Sequence, residues 1–577
     1  MAALVNALDN YTPTQIGQNG HVEYGWSNSI QEQIVQFSFQ LTRTSTLKPL
    51  ENRLNLMLSI LSEKVRNGIL PEKEVARGHL SILYKMIGHT RDIVDGKGEY
   101  NLTYMMIYAW NKFYPKLAEF ALKCLVDLGD RSVHQYGSWK DIKYFCEYCK
   151  SQDNAVNHPL IQYAINLTNE QLYKDYSLLV SNPVDISLVA KWVPREKSTF
   201  GWLYEMLSTN YFSHFLATAN TYDRRVRAVL KCKTEYRKVL SALNKYIDTV
   251  QIKQCGNNWA NINFSKTTSI TLTKQKKAFL NVKKSGEVRC PDNSDRVECA
   301  QHFNAHIQKA VRGEVEMKGK RVGMADFTKQ AIELSCRGSQ TEKDLLNSQW
   351  RDNSSQNGGL GKMIAMVDVS GSMDGDPMNV AIALGIRIAE KSALGKRVMT
   401  FSAKPTWVNL EECNDFISQV GVIKNAEWGM NTNFHAALDT ILDAIIQNKM
   451  APEDVQDLVL VILSDMQMDQ GDKCNKQALY ETMKEKYEAA GIRVHGRAYK
   501  PPHILFWNLR STSGFPSLSN QPNSSMLSGF SPSLLNLFCE QGMNALQSST
   551  PWSLLLRSLE NERYTIMSDR LYEEIVV

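Results

Sequence analysis

The apolar residues of this chain change their spacing once, and that change divides what the chain can fold into. Up to about residue 335 they recur every three to four positions, the period of a helix with one buried stripe. Leu54, Met57, Leu58, Leu61 and Val65 fall on one face. Leu117, Phe120, Ala121, Cys124, Leu125 and Leu128 form a second stripe, with Pro115 at its first turn, where a missing N–H costs nothing. Tyr236, Val239, Leu240, Leu243, Tyr246 and Val250 form a third. No strand alternation competes before residue 260. Consecutive helices over residues 45–340 predict an α-solenoid or irregular bundle, although no strict repeat is present. Residues 1–44 are polar and rich in Gln, Asn and Thr, and are expected to form an arm outside the core.

Residues 338–362 are dense in Gly, Ser, Asn and charge and read as an interdomain connection, with the linker proper at 341–360. Beyond it, short β-rich runs alternate with helical segments. Strands are expected from Met363 to Val369, at 398–402, at 458–463 and at 503–506. Helices are expected at about 377–392, after Asn433 and around 476–489. Alternation of this kind implies a mostly parallel sheet covered on both faces, an α/β doubly wound, Rossmann-like domain over 361–577. A length of 577 residues exceeds what one core serves and agrees with several domains. The longest apolar run of the second half is six residues, far short of the roughly 20 that span a bilayer. The N-terminus has no basic, apolar leader pattern. Eleven cysteines scattered from Cys124 to Cys539 fit free thiols better than a disulfide framework, so a cytoplasmic protein is expected.

Chemistry concentrates at strand ends. Asp368-Val369-Ser370-Gly371-Ser372-Met373 follows the first strand directly, where ligands bind in doubly wound folds. Thr432, in Gly429-Met430-Asn431-Thr432, precedes a helix, and Ser464-Asp465 ends the most apolar strand. Carboxylates and hydroxyls are hard oxygen donors, suited to Mg²⁺ or Mn²⁺, and such a set leaves a coordination position for an outside carboxylate. This pattern resembles the metal-ion-dependent adhesion site of von Willebrand factor A domains. The resemblance implies Ser370, Ser372 and Thr432 as hydroxyl ligands, with Asp368 and Asp465 acting mostly through water. Met430-Asn431 and Met466 stand where that family often has glycine.

The whole chain also resembles, over residues 45–545, a helical ring of HEAT-like repeats followed by a von Willebrand A domain. That is the architecture of the Ro ribonucleoprotein autoantigen (TROVE) family. It is more similar still to an uncharacterised family of plants and large DNA viruses. The residues carrying this are His89-Thr90-Arg91-Asp92 with Gly96-Lys97-Gly98-Glu99, Tyr136-Gly137-Ser138-Trp139-Lys140-Asp141, and Ala190-Lys191-Trp192-Val193-Pro194. Asn258-Trp259, Phe264-Ser265-Lys266 and Phe506-Trp507-Asn508-Leu509-Arg510 add to it.

The formal charge of +6 conceals a local excess. Residues 224–289 hold 16 lysines and arginines against three acids, a local charge of +13. Arg224, Arg225, Arg227, Lys231, Lys233, Arg237, Lys238 and Lys245 crowd one helix. Lys274, Lys276, Lys277, Lys283, Lys284 and Arg289 form a second cluster, with Trp259 and Phe264 between the two to stack on unpaired bases. Such clustering suits nucleic acid through counterion release; the alternative is a solvated basic face over buried aromatics.

Weaker signals have ordinary readings. Gly96-Lys97-Gly98 lacks phosphate-loop spacing and is expected to be an exposed turn carrying Asp95, Lys97 and Glu99, fixed by an Arg91–Asp92 pair. Cys146 and Cys149 are a lone CxxC. Cys290, Cys299, His302 and His306 have loosely zinc-like spacing but favour structural thiols and a packed histidine. His435 completes no catalytic set. Residues 511–528 read as a long polar loop near the metal face, a lid or a plain connection. The expectation is a non-enzymatic scaffold: RNA, single-stranded or structured, on the helical part, and an acidic group of a protein partner on the metal, with no membrane role. The alternative is a protein–protein assembly component without nucleic acid, in a virion if the chain is viral. A metal-dependent hydrolase ranks last.

Overall fold

The helical period of the first half folds as its spacing predicts. The computed structural model describes residues 11–576 apart from 131, 182–184, 402–404, 427–433, 456, 468–478 and 540–548. The first stripe lies on the helix Lys48–Asn67, which buries Leu54, Met57, Leu58 and Leu61. Pro115 opens the helix Pro115–Cys124, whose Leu117, Ala118, Ala121 and Leu122 are buried. The third stripe lies on Tyr222–Ile247, where Tyr236, Val239 and Leu243 are buried. There the stripe ends early. Asp248 adopts a left-handed φ of 48° and stops the helix, so Tyr246 is exposed and Val250 begins the next one.

Two expectations about boundaries are overturned. Residues 11–44, the described part of the expected arm 1–44, do not lie outside the core. Beyond the undescribed first ten, β1 (Thr14–Ile16) and β2 (Val22–Tyr24) pair as an antiparallel hairpin. The helix Ile30–Gln40 then buries Ile34, Val35, Phe37 and Phe39 at 2% exposure or less. Nor are residues 341–360 a linker. The helix Gln340–Ser354 occupies them, opened by a capping box in which Ser339 and Glu342 satisfy each other's backbone N–H groups. Leu345, Leu346 and Trp350 are buried.

The second half is a six-stranded mixed sheet, Rossmann-like, of β3 (Met363–Asp368), β4 (Arg397–Phe401), β5 (Thr406–Asn409), β6 (Val459–Ser464), β7 (His503–Asn508) and β8 (Ser524–Ser528). The order is β5-β4-β3-β6-β7-β8, parallel except for the edge strand β5. Alternate residues serve two cores. Ala365, Val367, Val461, Leu463, Leu505 and Trp507 face the helix Asp376–Lys391. Ile364, Met366, Leu460, Ile462, Ile504 and Phe506 join a core continuous with the N-terminal helices. Burial on both faces explains why these strands read as unbroken apolar runs.

The segment at 511–528 is no free lid. Its end is β8, and its middle is held to the N-terminal helix. Ser519 N–H donates to both Glu32 carboxylate oxygens (3.0 and 2.9 Å), and Gln40 Nε2 donates to Thr512 Oγ1 (2.9 Å). Phe515 exchanges backbone hydrogen bonds with Tyr24. The helices Pro551–Leu559 and Thr565–Glu574 then return to the N-terminal half. No helix among the described residues is long and apolar enough to cross a membrane.

Candidate functional site

The strand order reverses at β3. The chain leaves β3 for β4 on one side, and β6 pairs with β3 on the other. A crevice opens at such a switch point, beyond the carboxyl ends of the two strands. Asp368 is the last residue of β3, and Asp465 directly follows Ser464, the last of β6, so the topology alone brings these carboxylates together. Ser370 N–H donates to Asp368 Oδ1 (2.9 Å), which curls the chain into the short turn Gly371–Met373. That turn sets Ser370 Oγ and Ser372 Oγ 3.1 Å apart. From β6, Ser464 Oγ donates to Asp368 Oδ2 (2.6 Å), and Gln467 N–H donates to Asp465 Oδ1 (3.1 Å). Met466 takes a left-handed φ of 61°, the conformation that glycine adopts freely.

Asp368, Ser370 and Asp465 are almost fully buried, at 0%, 1% and 2% exposure. Burial pushes the Asp368 carboxyl up to about 7; hydrogen bonds from Ser464 and Ser370 oppose this and the charge of Asp465 adds to it. Burial also raises Asp465, against hydrogen bonds from Gln467 and Ser372 and the nearby Arg510 charge. Arg510 opposes part of this negative charge, and a divalent cation would offset the rest of the repulsion between the two buried carboxylates. The donor set, two carboxylates and two hydroxyls, is all hard oxygen and fits Mg²⁺ or Mn²⁺. Among the described residues no group of three or more His, Cys, Asp or Glu side chains is placed to hold a metal ion, so hydroxyl oxygens would have to complete any metal shell here. Of the five expected ligands, four converge; Thr432 lies outside the described residues, as does the His435 side chain.

Two neighbours of the site were not among the expected ligands. Arg510, two residues past β7, donates from Nη1 to the Ser372 carbonyl. Ser464 anchors Asp368 directly. Their signal was positional, since both flank the carboxyl ends of strands adjoining the switch point.

The basic residues divide. Arg224, Arg225, Arg227, Lys231, Arg237, Lys238 and Lys245 are exposed along Tyr222–Ile247, with Lys233 half-buried. Arg224, Arg225 and Arg227 form no side-chain ion pair among the described residues. Lys233, Arg237 and Lys238 are instead matched by Glu205 (2.7 Å), Glu196 (3.4 Å) and Glu235 (2.8 Å). In the second cluster Lys274, Lys283, Lys284 and Arg289 are exposed, and Lys276 and Lys277 are partly buried. Lys276 donates to Gln330 Oε1 (2.8 Å), and Lys283 pairs with Glu287 (3.1 Å). Phe264 is unavailable for stacking: it is 5% exposed against Phe279 and Phe303. The Trp259 ring carries the Arg296 guanidinium at 3.7 Å.

Other candidates resolve into architecture. Arg91 pairs with Asp141, not Asp92, and Asp92 takes Arg563. Lys97 and Glu99 are buried rather than exposed, at 4% each. Lys97 Nζ donates to Ser528 Oγ (2.6 Å) and to the Ser38 and Leu41 carbonyls. Cys146 and Cys149 are core thiols, and burial pushes both far up. Cys299 is buried in the cluster of Phe264, Phe279 and Phe303, while Cys290 is only partly buried and His302 is exposed.

Comparison with known proteins follows the same division. Residues 362–564 match a family described as Domain of unknown function (DUF7788), and residues 160–287 match Domain of unknown function (DUF2828). An uncharacterized protein of Acanthamoeba polyphaga mimivirus is 30% identical over 495 residues, covering 83% of this chain and 79% of the viral protein. Identity of that extent, running through both the helical part and the sheet, makes this chain a member of the same family as the mimivirus protein.

Proposed function

We propose that this protein is a non-enzymatic binding scaffold whose sheet domain is of the von Willebrand A type and captures an acidic group through a bound Mg²⁺ or Mn²⁺. One observation carries the reading. Asp368, Ser370, Ser372 and Asp465 converge at the switch point, setting two buried carboxylates and two hydroxyls around one place. Ser370 and Ser372 would ligate directly, and Asp368 and Asp465 would hold metal-bound water. The helical part is read as a HEAT-like, TROVE-like platform for RNA, supported by Arg224, Arg225 and Arg227, which are exposed and form no ion pair among the described residues. The working compartment is the cytoplasm.

A second reading has its own support. Glutamates already neutralise Lys233, Arg237, Lys238 and Lys283, and the relative is viral. Under it the chain is a protein–protein assembly component, in a virion, whose basic segment meets acidic protein.

Calorimetric titration with Mn²⁺ tests the leading reading. The full chain should bind one ion, and Asp368→Asn or Ser370→Ala should weaken binding at least about tenfold while circular dichroism is unchanged. Mn²⁺ affinity equal in the wild type and both variants sinks it.

A further inference from the structure

A second concentration of positive charge lies outside residues 224–289. Lys140 and Lys143 stand on the helix Lys140–Asp153, and Lys191 stands on the short helix Val189–Trp192. Their ammonium groups lie 6.0, 5.2 and 5.5 Å from the centroid of one indole, Trp192, which is half-buried. Beside it Tyr144 is 39% exposed, with Lys140 and Lys143 at 5.3 and 5.5 Å from its ring and Phe200 edge-on at 5.5 Å. About two helical turns further along, Lys150 sits 4.8 Å from the Trp202 ring.

Three like charges around one ring repel, and none of Lys140, Lys143 and Lys191 forms an ion pair among the described residues. The acids nearby are engaged elsewhere. Asp141 is buried against Arg91, Glu147 accepts Trp202 Nε1–H (2.9 Å) and lies 3.7 Å from Lys150, and Glu196 pairs with Arg237. Burial lowers Lys143, with Lys140 adding to the effect, and burial also lowers Lys191. Cation–π attraction to the rings offsets part of that repulsion, but no carboxylate among the described residues neutralises the three charges. An anion relieves the repulsion, and the partly open rings between the cations specify what else it must carry. An acidic peptide would meet the ammonium groups and leave the rings idle. A nucleotide strand presents phosphates and flat bases together, and every base has a face that stacks.

We propose that the face formed by Lys140, Lys143, Tyr144, Lys191 and Trp192 binds single-stranded RNA. The phosphates lie against the three lysines, and a base stacks on Trp192 or Tyr144. This deepens the nucleic-acid part of the proposed function, through a surface that uses no residue of 224–289.

Fluorescence anisotropy of the full chain with a labelled oligouridylate, over a series of salt concentrations, tests it. Combined Lys140→Ala, Lys143→Ala and Lys191→Ala should weaken binding at least about tenfold. It should also flatten the log–log salt slope by about 2, as expected for three lost phosphate contacts on a single strand. Trp192→Leu should weaken binding about tenfold with the slope unchanged, because stacking releases no counterions. If the wild type binds and the triple-lysine variant, with unchanged melting temperature, binds equally well, this surface is not the site. Arg224→Ala, Arg225→Ala and Arg227→Ala together then report on the basic segment separately. Polyglutamate displacing the oligonucleotide as effectively as unlabelled RNA would overturn the assignment in favour of an acidic protein. No binding by the wild type overturns both this proposal and the RNA part of the function.

Discussion

At His89 the chain buries a group that titrates near neutrality. Its ring is 5% exposed, edge-on to Tyr564 at 5.7 Å, and its carbonyl accepts the Lys97 N–H. Burial, with the Lys97 charge second, lowers it from 6.5 to about 3. The unfolded chain therefore takes up a proton below pH 6.5 that the folded chain refuses, and the stability due to neutral His89 is lost as pH falls towards 3. The loss is about 1.4 kcal/mol per pH unit. Urea unfolding at pH 7, 6 and 5 should show the wild type weakening relative to His89→Phe by that increment below 6.5, whatever the variant costs at pH 7. Parallel stability curves would mean that His89 is not held neutral. The neighbourhood shows what single residues conceal. Arg91 and Asp92 are adjacent in sequence and so face different ways, towards Asp141 and Arg563. Lys97 reads as a turn cation, yet its partners are two carbonyls and a serine that fold in from residues 38, 41 and 528. Partners 50 to 471 positions away leave no local mark. Asp368 and Asp465 were legible for the opposite reason, because each sits at the end of an apolar run and topology does the rest.

Elements with one clean period were readable, and the misses have physical causes. β8 is built from Ser524, Ser525, Met526, Leu527 and Ser528, polar letters that signal a loop. Its serines are buried and satisfied all the same: Ser525 by His503 (3.0 Å), Ser524 by Ser517 (2.8 Å), and Ser528 by the Ser38 carbonyl (2.8 Å). β5 is a four-residue edge strand, too short to show alternation. In the helix Gln340–Ser354 the polar majority masked two helical signals. These are the Ser339–Glu342 capping box and the spacing of Leu345, Leu346, Gln349 and Trp350. Trp350 now separates a helix from a linker. It stacks on Phe416 (3.9 Å, 20°), donates from Nε1 to Glu390 (3.0 Å) and receives the buried Arg387 guanidinium over its ring at 4.4 Å. Trp350→Ala should lower stability by about 3–5 kcal/mol in urea unfolding. A linker residue would tolerate the change within about 0.5 kcal/mol.

Over the whole molecule, the change of period at residue 340 marks a change of secondary structure and not a boundary between independent bodies. One apolar cluster runs from Ile34 through the helices as far as Leu243, along one face of the sheet, to Ile575, while residues 262–317, with Leu345, keep a smaller cluster of their own. The helix Thr565–Glu574 lies in that cluster with Leu70–Arg91, contributing Met567 and Leu571 beside Tyr564. Arg563 closes the contact: Nε and Nη2 donate to the Asp92 carboxylate (2.7 and 2.8 Å), and its carbonyl accepts Tyr136 O–H (2.6 Å). At the opposite end of the sequence, Asn508 Nδ2 at the tip of β7 donates to the Phe39 carbonyl (2.9 Å). The segments at 30–41 and 551–575 thus link the helices and the sheet, so unfolding of either part exposes core residues of the other. Calorimetry of the full chain should show one cooperative transition. Removing residues 560–577 should strip Tyr564, Met567 and Leu571 from the N-terminal helices. At about 1.5–3 kcal/mol for each buried side chain, the loss is at least about 5 kcal/mol. That loss should appear as a lower midpoint for the helical signal at 222 nm, although every deleted residue follows the sheet in sequence. Two resolved transitions in the full chain, with the helical one unmoved by the deletion, would show that the shared core does not couple the halves.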